Sequence, residues 1–153
     1  MHGAILDAQA VVDVSEDEAR DWFLSLRDHP ERYEFEAHGG FEFVEGSFGQ
    51  PGARFRTRER FCFLRLELLF ELTEVRQTEF WFRLARPSSM GVHGRFRLHG
   101  VDPGTTTLSL AIKAETRIGQ LMLRCYPVAA AIHQQIQREV RHIRSSMENV
   151  YGD

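Results

Sequence analysis

The spacing of apolar and polar residues divides the chain into segments with different periods. Residues 4–14 are rich in Val and Ala, with polar residues Asp7, Gln9 and Asp13 between them. This pattern predicts a strand with one solvent-exposed face. Residues 15–38 change to helical spacing, residues 39–116 return to a period of two, and residues 118–151 are helical again. This order predicts an α+β protein.

Two short helices are predicted after the first strand. Ser15 and Glu18 fit a capping box, in which the Ser hydroxyl accepts a hydrogen bond from a backbone amide and the Glu side chain reaches back. An apolar stripe follows, and Pro30 marks the end of this helix. Residues 31–38 are expected to form the second helix. The stripe consists of Ala19, Trp22, Phe23 and Leu26.

Six further strands are predicted between Gly39 and Thr116. Apolar residues alternate with charged or polar ones along each of them, and short turns separate them. Consecutive strands joined by such turns are antiparallel neighbours. The predicted strands cover residues 41–46, 53–61, 65–72, 78–86, 92–99 and 105–116.

The last segment, residues 118–151, predicts a long amphipathic helix. Its apolar residues recur at alternating spacings of three and four, and Pro127 is expected to kink or break the helix near Leu123. Such a helix needs an apolar surface to lie on, and the inner face of the sheet supplies one. We therefore predict a curved antiparallel sheet of about seven strands wrapped around the C-terminal helix, in a single domain spanning residues 1–153.

Composition and charge exclude several classes of protein. The chain has 153 residues, 42% of them hydrophobic, so a folded domain is expected. A formal charge of −3 gives no positive field for nucleic acid, and no apolar run is long enough to cross a bilayer. The two cysteines, Cys62 and Cys125, are far apart in sequence and the N-terminus lacks a basic signal region, so a cytoplasmic protein with reduced, packed thiols is expected.

Several of these features together resemble a known superfamily. They are the opening strand running into Ser15, the stripe after it, the glycine-rich link at residues 45–52 and the amphipathic terminal helix. Their order resembles the START-like (SRPBCC) superfamily of Bet v 1, polyketide cyclases and lipid-transfer domains, and looks most like its bacterial polyketide cyclase-like branch. The resemblance implies a helix-grip fold with a hydrophobic cavity that takes up lipids, sterols, quinones or aromatic polyketides, and in some members catalyses cyclisation.

A cavity is also expected on physical grounds. A curved sheet and a single helix touch along a line, and the space beside that line must be filled by side chains or by a ligand. The alternative is that the phenylalanines of the sheet, including Phe80, simply form a solid core. The candidate ligand-binding residues are Phe55, Thr57, Glu59, Phe61, Phe70, Phe82, Phe96, Tyr126, Ala129 and His133.

Glu59 is the most informative candidate for chemistry. It shares a strand face with Phe55 and Thr57, so its carboxylate is expected to point into the apolar interior, where burial would raise its pKa. A protonated carboxyl there suits a general acid or a hydrogen-bond donor to a ligand carbonyl. A bulge that turns Glu59 outward, or an ion pair with an inward Arg, are the alternatives.

Tyr126 and His133 are the further candidates for catalysis. They lie seven residues apart on the predicted terminal helix and therefore share a face, from which they could reach the cavity. The alternative is a tyrosine at the pocket mouth and a histidine on the solvent-facing flank.

The other chemical signals are weak. Arg54, Arg56, Arg58 and Arg60 alternate along one strand, and cross-strand ion pairs with Glu67 and Glu71 on the outer face explain them without a ligand. Glu139 and His142 match half of a carboxylate metal motif, but no second copy occurs and nearby arginines argue for an outer face. No metal or other cofactor is expected.

These observations predict binding or transport of a small hydrophobic ligand, lipid-like or aromatic. The first alternative is a cyclase, aromatase or dehydratase that uses Glu59, Tyr126 or His133 for proton transfer. The second is a protein-contact module with a closed pocket. Because an enzyme needs at least two converging polar groups and only one inward charge is evident in the sequence, binding is the preferred interpretation.

Overall fold

The computed structural model describes residues 5–34, 38–61 and 64–152. Its strands form one seven-stranded antiparallel sheet, in which the second to the seventh follow one another as a meander and the first pairs with the seventh. This confirms the predicted curved sheet. The strands are β1 (Ile5–Val12), β2 (His38–Glu45), β3 (Arg54–Phe61), β4 (Leu64–Val75), β5 (Glu79–Arg86), β6 (Val92–Asp102) and β7 (Thr105–Ala114).

The first helix, α1 (Glu16–Leu24), begins at the predicted capping box. The Ser15 hydroxyl accepts a hydrogen bond from the Glu18 amide at 3.1 Å, and the Ser15 amide donates to Glu18 Oε1 at 3.0 Å. A short 3₁₀ turn at Ser25–Arg27 continues the helix. All four residues of its apolar stripe are buried, as the spacing predicted.

The second predicted helix is shorter than expected. Residues 31–38 were expected to be helical, but the structure has a single 3₁₀ turn at Pro30–Tyr33, and β2 already begins at His38. The prediction was wrong because the backbone of His38 pairs with that of Glu59 in the sheet. Residues 35–37 lie outside the described residues.

The terminal segment forms two helices, α2 (Arg117–Arg124) and α3 (Tyr126–Tyr151). Cys125 adopts an extended conformation between them, and Pro127 lies in the first turn of α3, where its missing amide proton is tolerated. Cys125 is a free thiol and is exposed, contrary to the expected packed thiol, because it stands at this break. The other cysteine, Cys62, lies outside the described residues.

The helix α2 lies across one end of the sheet. Gly119 allows this approach, because a Cβ atom at this position would stand 2.0 Å from the carbonyl oxygen of Met90. Strands β3, β5 and β7 end here, and β4 and β6 begin here, because the strands alternate in direction.

The aromatic core fills the space between the sheet and the C-terminal half of α3. Phe23 is fully buried, and its ring centroid lies 4.9 Å from that of Phe80 and 5.0 Å from that of Phe96. Ile143 and Met147 of α3 close this core and are also fully buried. The side chains that face the sheet from the N-terminal half of α3 have no such packed layer opposite them, and the cavity described below lies there.

The outer face of the sheet carries the predicted ion pairs. Arg54 lies 3.6 Å from Glu71, and Arg56 lies 3.2 Å from Glu67. These confirmed contacts explain the arginine row without a ligand, and each exposed pair contributes little stability. Within the described part of the chain, no helix is both long and apolar enough to span a membrane.

Candidate functional site

A cavity of about 670 Å³ lies between the sheet and the N-terminal half of α3. This volume falls in the range of about 300–1,000 Å³ that is typical of small-molecule sites. Strands β3 to β7 supply one wall, α3 supplies the opposite wall, and α2 covers one end. Apolar side chains dominate the lining, among them Phe55, Leu68, Phe70, Phe82, Leu84, Phe96, Leu110, Met122, Leu123, Ile132 and Ile136.

Most of the candidates on the strands lie on the cavity wall. Thr57 and Glu59 follow Phe55 on the inward face of β3, where the period of two predicted them. The side chain of Phe61 lies outside the described residues, and Phe80 belongs to the packed core. The strand candidates on the wall are Phe55, Thr57, Glu59, Phe70, Phe82 and Phe96.

The candidates on the terminal helix do not line the cavity. Tyr126 is 83% exposed, and the His133 ring lies 3.0 Å from the backbone oxygen of Asp7 in β1. Ala129 is half-buried but also absent from the wall. With about 100° between successive residues, the cavity-facing positions 128, 132, 135 and 139 point well away from 126 and 133. Position 129 lies at the edge of this face, in nearly the same direction as Ile136. The placement expected for these three side chains is therefore corrected.

Glu59 stays on the cavity face of its strand. It pairs with Leu66 of β4 in unbroken register, so no bulge in β3 turns it outward. Its side chain is half-buried rather than fully enclosed, and it lies close enough to Tyr33 to act on it electrostatically. A carboxylate is thus present at the apolar wall, as predicted.

A buried Tyr–Glu pair stands at the cavity wall and was missed in the sequence. The Tyr33 hydroxyl, from the 3₁₀ turn after α1, donates a hydrogen bond to Glu139 Oε1 of α3. Tyr33 is 2% exposed and Glu139 is 8% exposed. Glu139 was assigned to the outer face because arginines surround it, but its spacing of three from Ile136 and four from Ile143 marks the inward stripe.

The Tyr33 phenol remains protonated at neutral pH. Burial raises its pKa well above the ordinary value of 10, and the negative charges of Glu139 and, more weakly, Glu59 raise it further. The phenol is therefore a neutral hydrogen-bond donor that stabilises the buried carboxylate of Glu139.

This pair makes stability fall at alkaline pH. Unfolded Tyr33 loses its proton near pH 10 whereas the folded protein retains it, so the free energy of unfolding should fall by about 1.4 kcal/mol per pH unit above that point. Tyr33→Phe should remove the contribution of Tyr33 and leave the smaller one of Tyr151, whose pKa burial also raises. The same variant should lower stability at pH 7 by about 1–3 kcal/mol, because Glu139 loses a donor. Urea unfolding between pH 7 and 11 measures both effects.

Tyr126→Phe is the matched control, because Tyr126 is exposed. It should follow the wild-type pH profile. Parallel alkaline decline in the wild type and Tyr33→Phe would contradict the assignment of the proton to Tyr33.

Thr57 presents an unpartnered hydroxyl in the wall. Its side chain is 2% exposed, and its Oγ1 atom has no hydrogen-bond partner among the residues that the structure describes. Leaving a buried hydroxyl unpaired costs about 1–3 kcal/mol. A bound molecule with a polar atom at this point would satisfy it.

The two residues of the half motif, Glu139 and His142, contact different partners. Glu139 accepts its hydrogen bond from Tyr33, whereas the His142 ring lies 3.1 Å from the backbone oxygen of Arg32. Among the described residues, no group of three or more His, Cys, Asp or Glu side chains is arranged to hold a metal ion.

Comparison with known proteins identifies the fold. No family model matches the chain, and no curated protein matches it in sequence. Solved structures do match: Ara h 8.0201 has a TM-score of 0.70 at 16% identity, over 95% of this chain and 97% of that one. The Zhui aromatase/cyclase from Streptomyces sp. R1128 has a TM-score of 0.71 at 15% identity, over 97% and 95% of the two chains.

A third similar structure is the major latex-like protein 151 from Panax ginseng. Its TM-score is 0.68 at 12% identity, over 92% of this chain and 95% of that one. The chain therefore has the helix-grip fold found in Bet v 1-like proteins and in aromatase/cyclases, which confirms the fold implied by the sequence resemblance.

Proposed function

We propose that this protein binds and carries a small, largely apolar molecule in the cavity under α3. The observation that carries the proposal is the cavity itself, with its volume of about 670 Å³ and its apolar lining. Protein interiors are close-packed, with few voids larger than a water molecule, so a space of this size in a core otherwise filled by aromatic rings indicates a binding site.

The lining of the cavity favours a ligand with aromatic rings. The rings of Phe55 and Phe70 stack with centroids 5.3 Å apart, and Phe82 meets Phe70 edge-on at 5.5 Å. Burial of apolar area contributes about 25 cal/mol per Å² to the binding free energy. Each contact between an aromatic ligand and such ring faces and edges adds about 0.5–1.5 kcal/mol. An aromatic or polyketide-like molecule is therefore favoured over a simple alkyl chain.

The ligand is proposed to enter at the end of the sheet covered by α2. The cavity lining includes exposed residues there, namely Leu66 at the start of β4 and Val128 in the first turn of α3. Pro87, in the exposed connection from β5 to β6, also borders the cavity. These side chains belong to connections and element ends, which move more readily than the middle of a sheet.

Binding of 2-acetonaphthone, a neutral aromatic ketone, tests the proposal. We expect saturable binding at one site per chain by titration calorimetry, together with saturation transfer from the protein to the ligand in NMR. The chemically unchanged ketone should be recovered. Absence of saturable binding by 2-acetonaphthone and by the naphthyl compounds described below would refute a ligand-binding role for the cavity.

Enzymatic proton transfer is the second candidate function. It is favoured by one observation: Tyr33, Glu139 and Glu59 bring three polar groups to the wall, where the sequence indicated one. Tyr126 and His133 have no part in this proposal, since neither lines the cavity. In D₂O the same ketone distinguishes the two functions, because a general base would accelerate deuterium exchange at its methyl group, whereas a carrier would not.

A further inference from the structure

The charged side chains on the cavity wall all have the same sign. They are Glu59 and Glu139, and no Arg, Lys or His side chain lines the cavity among the side chains described, those of residues 5–34, 40–60 and 65–152. Glu67 also borders the cavity, but its carboxylate pairs with Arg56 on the outer face of the sheet. The chain as a whole has 19 Lys and Arg residues, so the lack of positive charge on the described cavity wall does not reflect a lack of basic residues in the sequence. Arg58, next to Glu59 in sequence, lies on the outer face of β3, 3.9 Å from Glu67.

The polar groups of the wall converge on one region. Tyr33 stacks on Phe41 with ring centroids 4.6 Å apart, and Phe41 lies directly opposite Thr57 across the β2–β3 pair. Tyr33 in turn donates to Glu139. Gln135 stands one helical turn before Glu139 on the same face of α3 and is 6% exposed.

The described side chains of this region can accept hydrogen bonds but offer a ligand no positive charge. A carboxylate oxygen accepts and cannot donate when it is ionised, whereas a Thr hydroxyl can do both. A ligand carboxylate would lose its hydration on entering the apolar cavity, and it would then lie beside the carboxyl group of Glu139, which cannot offer it a positive charge. Both effects disfavour binding of a carboxylate. A ligand hydroxyl or ammonium group would instead supply the donor that a carboxylate attracts, and the Phe rings nearby also favour a cation.

We propose that the cavity selects molecules whose apolar body carries a hydrogen-bond donor, a hydroxyl or a protonated amine, and that it rejects carboxylates. This inference rests on the proposed binding function and narrows its ligand class. It sets fatty acids and other anionic amphiphiles apart from neutral or cationic aromatic compounds. Thr57, Gln135 and Glu139 are the residues assigned to the polar end of the ligand.

A matched series on one naphthalene scaffold tests this selectivity at pH 7. The probes are 2-(2-naphthyl)ethylamine, 2-(2-naphthyl)ethanol, 2-ethylnaphthalene and the carboxylate anion of 2-naphthylacetic acid. Their affinities are measured by titration calorimetry. The amine and the alcohol should each bind at least about tenfold more tightly than the carboxylate. If the amine binds more tightly than the alcohol, the polar end of the ligand contacts a negative charge in the cavity. If the two affinities are equal, a neutral hydrogen-bond donor on the ligand is sufficient. Either result supports the proposal.

The failure of this inference differs from that of the proposed function. If the alcohol binds but the carboxylate binds within about threefold of it, charge selection is refuted while the binding function stands. If neither 2-acetonaphthone nor any of the four probes binds, the binding function is refuted and the proposed selectivity with it.

Glu139→Gln separates charge from shape. The amide oxygen still accepts from Tyr33, but the negative charge is gone, so discrimination against the carboxylate should fall below about threefold. Glu74→Gln is the control, because Glu74 is exposed and absent from the wall, and it should keep the full discrimination. Unchanged discrimination in Glu139→Gln would overturn the role assigned to this carboxylate.

Thr57→Val tests the unpartnered hydroxyl with two readouts of opposite sign. The variant should bind the alcohol at least about threefold more weakly, yet melt at a higher temperature, because it removes a buried hydroxyl that has no partner. Thr106→Val is the matched control: Thr106 is equally buried, but its hydroxyl donates to the Val14 oxygen at 2.8 Å. That variant should melt at a lower temperature. A Thr57→Val protein that melts lower and binds the alcohol normally would refute the assignment.

Discussion

The Trp22→Ala variant is expected to lose about 3–5 kcal/mol of its free energy of unfolding. Trp22 is fully buried, its ring lies 5.1 Å from that of Phe23, and its indole nitrogen donates to the Ser146 hydroxyl at 2.9 Å. The substitution would leave a cavity between α1 and α3 and an unpaired Ser146 hydroxyl. Urea unfolding followed by far-ultraviolet circular dichroism measures the loss independently of tryptophan fluorescence.

Trp81→Ala is the control for this prediction. Trp81 is half-buried on the outer face of the sheet, where the guanidinium of Arg95 lies 5.1 Å from its ring. Removing it should lower the free energy of unfolding by only about 1 kcal/mol. Similar losses in the two variants would show that the packed core is not centred where the structure places it.

The Ala131→Trp variant is expected to bind 2-(2-naphthyl)ethanol at least about tenfold more weakly than the wild type. Ala131 lies on the cavity wall in the N-terminal half of α3, and an indole there occupies space that the naphthalene ring would use. Trp is compatible with a helix, so the fold should be retained. Titration calorimetry gives the affinity, and far-ultraviolet circular dichroism checks the fold.

Ala130→Trp is the neighbouring control. Ala130 is exposed on the same helix and does not line the cavity, so the added indole should leave the affinity unchanged. A variant at position 131 that binds as tightly as the wild type would move the binding site out of the cavity. Together, Trp22→Ala tests the packed half of the interior and Ala131→Trp tests the half that contains the cavity.

The inward residues of the strands were predictable from the sequence. Alternation along β3 assigned Phe55, Thr57 and Glu59 to one face because successive side chains of a strand point to opposite sides, whatever lies beyond the sheet. The ion pairs of the outer face followed from the same alternation. A side chain on a strand can point to only one of two faces of the sheet, and the apolar residues that share its face show which face is the inner one.

The cavity-facing side of α3 was harder to predict. Its apolar residues spread around much of the helix because its C-terminal half packs in the core and its N-terminal half borders the cavity. The direction of Tyr126 and His133 also depended on the break at Cys125, which sets where α3 begins. The spacing of apolar residues does not specify how α3 is rotated about its axis relative to the sheet. The side chains of Tyr126 and His133 were therefore predicted on the wrong face of the helix.

The Tyr33–Glu139 pair joins residues that are 106 positions apart in the chain. Neither residue looks unusual locally, since a tyrosine in a short turn and a glutamate among arginines are typical of a surface. Their burial depends on β2 and α3 closing over the 3₁₀ turn, which is a long-range event.

For this protein, the period of the apolar residues was sufficient to predict the strands and an apolar interior, and the capping box of Ser15 and Glu18 was sufficient to predict the start of the first helix. These features depend on neighbours a few residues apart. Only the tertiary structure decided how much of that interior is filled, and which polar groups, Tyr33 and Glu139 among them, meet inside it. The reason is geometric: the distance and rotation between α3 and the sheet arise from contacts among residues that are remote in sequence.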